Sequence, residues 1–208
     1  MEKPMRFDYC RGWENKNLSL PEGIACPPNL EYPPPPARVE LLFVGWNPPG
    51  EKHFWNSTED NLYRNLTWVF EQLGWLKKTD IRAVFTEKCF YFTHAVKCWT
   101  EAKFDWHMAG LVDRCANNIL KAEIENLNPK IICALGKLPH MALHSIWPKA
   151  IPSSIEYGEG WCEVVEARQI IVTCFPNIRW NRKKKTHNRQ CTANALDRWI
   201  DGRYSSRG

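Results

Sequence analysis

No apolar run in the 208 residues approaches the roughly 20 needed to span a membrane, and the opening "MEKPMRFDYC" lacks the hydrophobic stretch of a signal peptide. The expectation is a soluble, cytoplasmic protein with no membrane partner. No internal repeat marks a solenoid, and no Gly-rich phosphate loop follows the first strand-like run, which weighs against a nucleotide-binding α/β enzyme. Cysteine pairs of the Cys-x-x-Cys type are also missing, although the chain has nine cysteines. An odd number of cysteines in a reducing compartment argues against a disulfide framework; they read as small buried hydrophobes, with a subset free to bind a metal or cluster. The formal charge of +5 is moderate, so its placement carries more information. From Arg179 to Arg189 the chain reads "RWNRKKKTHNR", with six Lys or Arg in one short, loop-like stretch. Such a run is a solvated surface or a nucleic-acid contact, depending on its neighbours. Eleven tryptophans, many in polar contexts, supply faces on which bases can stack.

One well-buried domain suits this length. Residues 1–38 are irregular and end in "CPPNLEYPPPPAR", whose proline run favours an extended path. They are expected to form an arm packed on a domain spanning 39–208. Four β-rich runs follow, "VELLFVG" (39–45), "CFYFTHAV" (89–96), "KIICALG" (130–136) and "QIIVTCF" (169–175). Helical patterns separate them. One is capped by Ser57 or Thr58, carries Leu62, Leu66, Val69, Phe70 and Leu73, and stops at Gly74. Another runs through Leu111, Cys115, Ile119, Ile124 and Leu127 to Pro129, a short one covers about Leu138–Ile146, and the last about Thr192–Ile200. Residues 147–168 are read as an additional hairpin or loop. Alternating strands and helices predict an α/β fold, a three-layer α/β/α sandwich around a central four-stranded, mainly parallel sheet.

Three runs end in polar, conformationally special loops, "GWNPPG", "THAVKCW" and "FPNIRWNRKKK". In an open parallel sheet such loops share the ligand-binding edge. Taken in order, "GWNPPG", "YFTHAVKC", "CANNILKAEIENLNPKIICALGKLPHMAL" and "FPN" resemble the motifs of the uracil-DNA glycosylase superfamily, and in "VKC" its iron–sulfur families. The resemblance covers about residues 39–200. It implies a DNA glycosylase, acting on a flipped-out uracil or modified pyrimidine in DNA repair or in defence against phage DNA carrying modified bases. No Lys nucleophile stands at a motif position, so hydrolysis without a lyase adduct is expected, from a monomer whose partner is DNA.

Under the same resemblance Asn47 orients the hydrolytic water and His94 stands at the base-reading position. Gly45, Trp46, Pro49, Phe54 and Asn177 shape the base pocket, with Phe54, or else Trp55, as its stacking floor. Ile178, Arg179 and Trp180, followed by Arg182, Lys183, Lys184 and Lys185, supply a wedge and a phosphate clamp. The chain departs from the pattern in three places. His94 replaces an Asn that pairs bidentately with uracil; neutral, it could make one directed contact, and protonated, it could stabilise a departing base anion. Phe175 replaces a His that stabilises charge on the base, leaving His94, His187 or Asn177 to take that role. Pro49 replaces a Tyr that excludes C5 substituents, which makes room for bulky modified pyrimidines. Catalytic weakness through Phe175, leaving a nucleic-acid-binding protein of the same fold, is the alternative. Cys98 and Cys115 match two cluster ligands; with Cys10 and Cys26 they could hold a structural [4Fe–4S] cluster, with zinc or no metal as alternatives. Cys89, Cys133 and Cys174 are assigned to the core.

Overall fold

The computed structural model describes residues 24–25, 32–47, 53–76, 80–97, 99–100, 106–176 and 182–201. Its strands are β1 (Ile24–Ala25), β2 (Leu41–Gly45), β3 (Phe90–His94), β4 (Trp99–Thr100), β5 (Ile131–Leu135), β6 (Trp161–Val165) and β7 (Arg168–Thr173). β1 and β4 form a small antiparallel pair. The other five make one sheet in the order β3-β2-β5-β7-β6, parallel except for the antiparallel β7–β6 pair. Strands buried on both faces read as continuous apolar runs, and every residue of β2 and β3 is buried.

Side-chain alternation divides the interior into two cores. Leu42, Val44, Tyr91, Ile132, Ala134, Ile170 and Val172 face one, against α3 (Trp106–Cys115), α4 (Lys121–Leu127) and α5 (Lys137–Ile146). Leu41, Phe43, Phe90, Phe92, Cys133, Leu135 and Ile171 face the other, against α1 (Asn61–Gln72), α2 (Ile81–Glu87) and α6 (Arg182–Leu196). This is the expected three-layer sandwich, with a fifth strand. Beneath β2, the ring of Phe43 lies 5.6 Å from Phe85, 5.9 Å from Phe70 and 6.1 Å from Phe90. Truncating a ring so enclosed costs about 3–5 kcal/mol, so the floor under the strand ends is stiff.

Several expectations need correction. The sheet has five strands rather than four because 161–165 pairs with β7 through a two-residue turn at Glu166 and Ala167. Both have positive φ, 49° and 65°, as in the type I′ turn that suits strand twist, but Glu-Ala is not the Asn-Gly signal of that turn. α1 is capped by Asp60, which accepts the Tyr63 backbone N–H at 2.8 Å, rather than by Ser57 or Thr58. α2 was missed in the sequence; Asp80 caps it by accepting Arg82 N–H at 2.8 Å. The last helix begins ten residues before Thr192, so Arg182–Lys185 open a helix and do not lie in a loop. The helix through Leu111 and Leu127 is interrupted by a π turn at Ala116–Leu120, directly after Cys115, and ends at left-handed Asn128 before Pro129. Cys133 and Cys174 are buried, whereas Cys89 is half-buried in the turn before β3 with φ 54°. Among the described residues no helix is long and apolar enough to cross a membrane.

The connections fix where a ligand can bind. β2 leads to β3 through α1 and α2 on one face, and β3 leads to β5 through α3 and α4 on the other. Loops leaving neighbouring strands toward opposite faces open a crevice at their carboxyl ends.

Candidate functional site

Asn47 and His94 flank that crevice. Gly45 and His94 are register partners at the last rung of β2 and β3. Beyond it, Ala95 N–H donates to Gly45 O at 2.8 Å and Val96 N–H to Trp46 O at 2.9 Å, so the pairing extends up to the half-buried Asn47. A Cβ on Gly45 would fall 2.7 Å from Phe92 Cζ and 3.6 Å from His94 Cδ2. Glycine therefore lets the His94 ring and its aromatic support close over β2. At the carboxyl end of β5, Gly136 (φ 93°) brings its backbone against Phe175, whose Cβ would be 2.7 Å from a Cβ there. α6 fixes the same loop: Asn188 Nδ2 donates to Phe175 O at 3.0 Å and Thr192 Oγ1 to Cys174 O at 3.0 Å. The ends of β2, β3, β5 and β7 thus form one edge.

His94 is buried. Its Nδ1 lies 2.5 Å from the hydroxyl of Tyr32, and the Phe92 ring meets it edge-on at 4.8 Å. Burial, together with the charge of Lys97 and the proximity of His53, holds the imidazole well below its ordinary pKa. That shift favours the neutral ring, the state for which one directed contact is expected. Phe54 is 1 % exposed and packs its ring 4.8 Å from Phe92 and 5.0 Å from both Phe85 and Trp55. Phe92 therefore stands between Phe54 and His94. Trp55 is anchored on β3 by its Nε1–H, which donates to Phe92 O at 3.2 Å.

Sequence reading missed the groups behind His94. Lys97 Nζ lies 2.5 Å from Glu123 Oε2 and also donates to Thr93 Oγ1, while Thr93 Oγ1 donates to Glu123 Oε1 at 2.8 Å. All three are buried. A buried ion pair with both partners present clamps α4 to the end of β3, and removing one partner leaves an uncompensated charge costing about 3–5 kcal/mol. Lys97 lies inside the "VKC" motif, but its partner is 26 residues away and on another element. Tyr32 and His53 were missed too. Tyr32 precedes the proline run, and its ring centroid lies 5.9 Å from His94 and 6.4 Å from His53. On its outer side, along the free edge of β3, a cleft of about 570 Å³ is lined by Pro33, Pro34, Pro36, Trp55, Arg82 and Tyr91, among others.

Pro49, Asn177, Ile178, Arg179 and Trp180 lie outside the described residues, as do Cys10, Cys26 and Cys98. For Arg182–Lys185 the helical backbone alone is described. His187, one of the groups weighed as a substitute at Phe175, is exposed on α6, its Nε2 3.4 Å from Cys191 Sγ. Cys115 is buried and its thiol pKa is pushed up by burial, opposed by a hydrogen bond from the Lys97 backbone N–H. The chain neighbours of Cys26 and Cys98, Ala25 and Trp99, are register partners in the β1–β4 pair. The backbone N–H directed at the Cys115 sulfur and the pairing of the residues beside Cys26 and Cys98 are compatible with a thiolate-ligated group. Among the described residues no group of three or more His, Cys, Asp or Glu side chains has metal-binding geometry.

Comparison with curated protein sequences gave no match. The family profile described as "Uracil DNA glycosylase superfamily" matches residues 33–200, from the proline run through α6, a span that includes both strand ends of the crevice. The chain belongs to the uracil-DNA glycosylase superfamily.

Proposed function

We infer the function within the DNA glycosylase chemistry that membership of this superfamily implies in general. We propose that the protein is a monofunctional DNA glycosylase acting on a flipped-out uracil or modified pyrimidine, in DNA repair or in defence against phage DNA with modified bases. The observation that supports this reading is the placement of Asn47 and His94 side by side at the carboxyl ends of the adjacent parallel strands β2 and β3. Cleavage of the N-glycosidic bond sends its electron pair into the base and leaves an oxocarbenium-like sugar, which water attacks at the anomeric carbon. Asn47 cannot ionise, but its amide can orient that water. Neutral His94 offers the departing base one directed hydrogen bond. Flipping the base costs a few kcal/mol, which phosphate contacts from the basic start of α6 offset. A test incubates the protein with oligonucleotides carrying uracil, hypoxanthine or 5-substituted cytosine, and with genomic DNA containing hypermodified bases. Release of a free base with an intact abasic strand is expected. Intact DNA in every case at high protein concentration contradicts the reading and leaves a nucleic-acid-binding protein.

The same reading includes a structural [4Fe–4S] cluster held by Cys10, Cys26, Cys98 and Cys115, tying the arm to the domain; zinc is the alternative metal for the same thiolates. Protein purified without oxygen should be brown and contain iron and sulfide. Colourless protein containing neither iron nor zinc by elemental analysis removes the metal and leaves the glycosylase reading in place.

A further inference from the structure

We propose that Tyr32, from the arm, is a positioning residue for His94: its phenol donates to Nδ1 and holds the imidazole as the Nε2–H tautomer, with that N–H as the donor presented to the target base. The inference rests on the glycosylase reading for its consequence, and on geometry for the tautomer. The two groups meet at 2.5 Å in the interior, far closer than an approach without a shared proton allows. Burial keeps the phenol protonated, and burial with the Lys97 charge keeps the ring neutral. One proton therefore lies between them. The hydroxyl's other side-chain neighbour, Thr93 Oγ1, already accepts from Lys97 and gives its own proton to Glu123; a phenol is the better donor, and an imidazole lone pair is a better acceptor than a phenolic oxygen, so the proton belongs to Tyr32 and the ring's own proton to Nε2.

The surroundings leave the ring little freedom to choose otherwise. Phe92 supports it edge-on, and Gly45 lies on its Cδ2 flank, opposite the Nδ1 flank that Tyr32 occupies. Tyr32 is itself held: the Lys97 ammonium lies 5.7 Å from its ring centroid, and the next residue, Pro33, accepts the Tyr91 hydroxyl at 3.0 Å. This arrangement also accounts for how a His can replace an amide at the base-reading position. An amide presents a donor and an acceptor together, whereas a locked Nε2–H presents a donor alone. The target base must then offer a carbonyl oxygen to His94, and a base presenting an amino group there is disfavoured.

The test uses the full chain and two independent readouts. In ¹⁵N-histidine-labelled protein, long-range ¹H–¹⁵N correlation reports the His94 tautomer without any turnover, with His94→Asn supplying the assignment. Wild type should show Nε2–H, and Tyr32→Phe, which keeps the ring and loses only the hydroxyl, should show a tautomer mixture. Single-turnover base release should fall about tenfold in Tyr32→Phe with DNA affinity unchanged, and the same substitution should have no further effect in a His94→Asn background. A wild-type His94 protonated at Nδ1, or an unchanged tautomer in Tyr32→Phe, overturns the proposal even if that variant folds poorly enough to obscure its kinetics. Wild-type protein that releases no base while His94 is locked as Nε2–H refutes the glycosylase reading and supports the tautomer assignment.

Discussion

At the scale of single residues, buried neutral histidines link the chemistry of the site to the stability of the fold. His140 shows the logic without ambiguity. Its Nε2 lies 2.7 Å from the Pro152 carbonyl, which can only accept, so Nε2 carries the proton; Nδ1 then accepts from Tyr157 Oη at 2.7 Å. Protonating Nδ1 would reverse that second bond and turn the Tyr157 proton away from its acceptor, placing a charge in the core. Burial, in agreement, lowers the His140 pKa, as it does for His53 and, with the Lys97 charge, for His94. The sign follows from linkage. Below the ordinary value of 6.5 the unfolded chain takes up protons that the folded chain refuses, so stability is full above that pH and is lost as pH falls through the window beneath it. Urea unfolding followed from about pH 7 to about pH 5.5 should show a falling free energy, with a shallower fall in His140→Gln, whose amide can bond both partners at either pH. A pH-independent unfolding midpoint in wild type would mean that these rings take up protons in the folded state.

At the scale of elements, α6 is the least self-consistent and therefore the most informative. Arg182, Lys183, Lys184 and Lys185 occupy its first turn, where the helix dipole is already positive and acidic residues are the stabilising choice. An isolated helix would be better without them, and a polyanion laid across the helix start reverses the sign of the interaction. Replacing Lys183, Lys184 and Lys185 together by Gln should weaken binding to DNA of any sequence. The salt dependence of log affinity should flatten by about 0.9 for each phosphate that the variant no longer neutralises, while thermal stability stays the same or rises. An unchanged salt slope assigns the run to a solvated face. The π turn after Cys115 is the other irregular element; such turns gather at functional sites, and here it abuts a thiol proposed as a metal ligand.

At the scale of the molecule, the layers were legible because β2, β3, β5 and β7 are apolar runs bounded by Gly, Pro or polar loops, and α1 and α5 carry clear helical spacing. β6 was not, since its half-exposed "WCEVV" has neither a continuous apolar run nor a recognisable turn beside it. The extent of α6 was hidden because charge repulsion at its start mimics a loop. In the site, Asn47 and His94 stood out through the abrupt loops that carry them, whereas Tyr32 and the Lys97–Glu123 pair become visible only when elements distant in sequence pack together. What unites these levels is the claim that the turn ending β2 exists to hold a water-orienting amide. The most direct test compares wild type with Asn47→Ala in single-turnover base release from duplexes carrying uracil or a 5-substituted uracil, with DNA affinity and thermal stability measured alongside. The account predicts a fall of about 10²–10³-fold in rate with affinity and stability nearly unchanged, because the variant forfeits only a transition-state interaction. Equal rates for the two proteins would contradict it and make the turn a purely structural end to the strand.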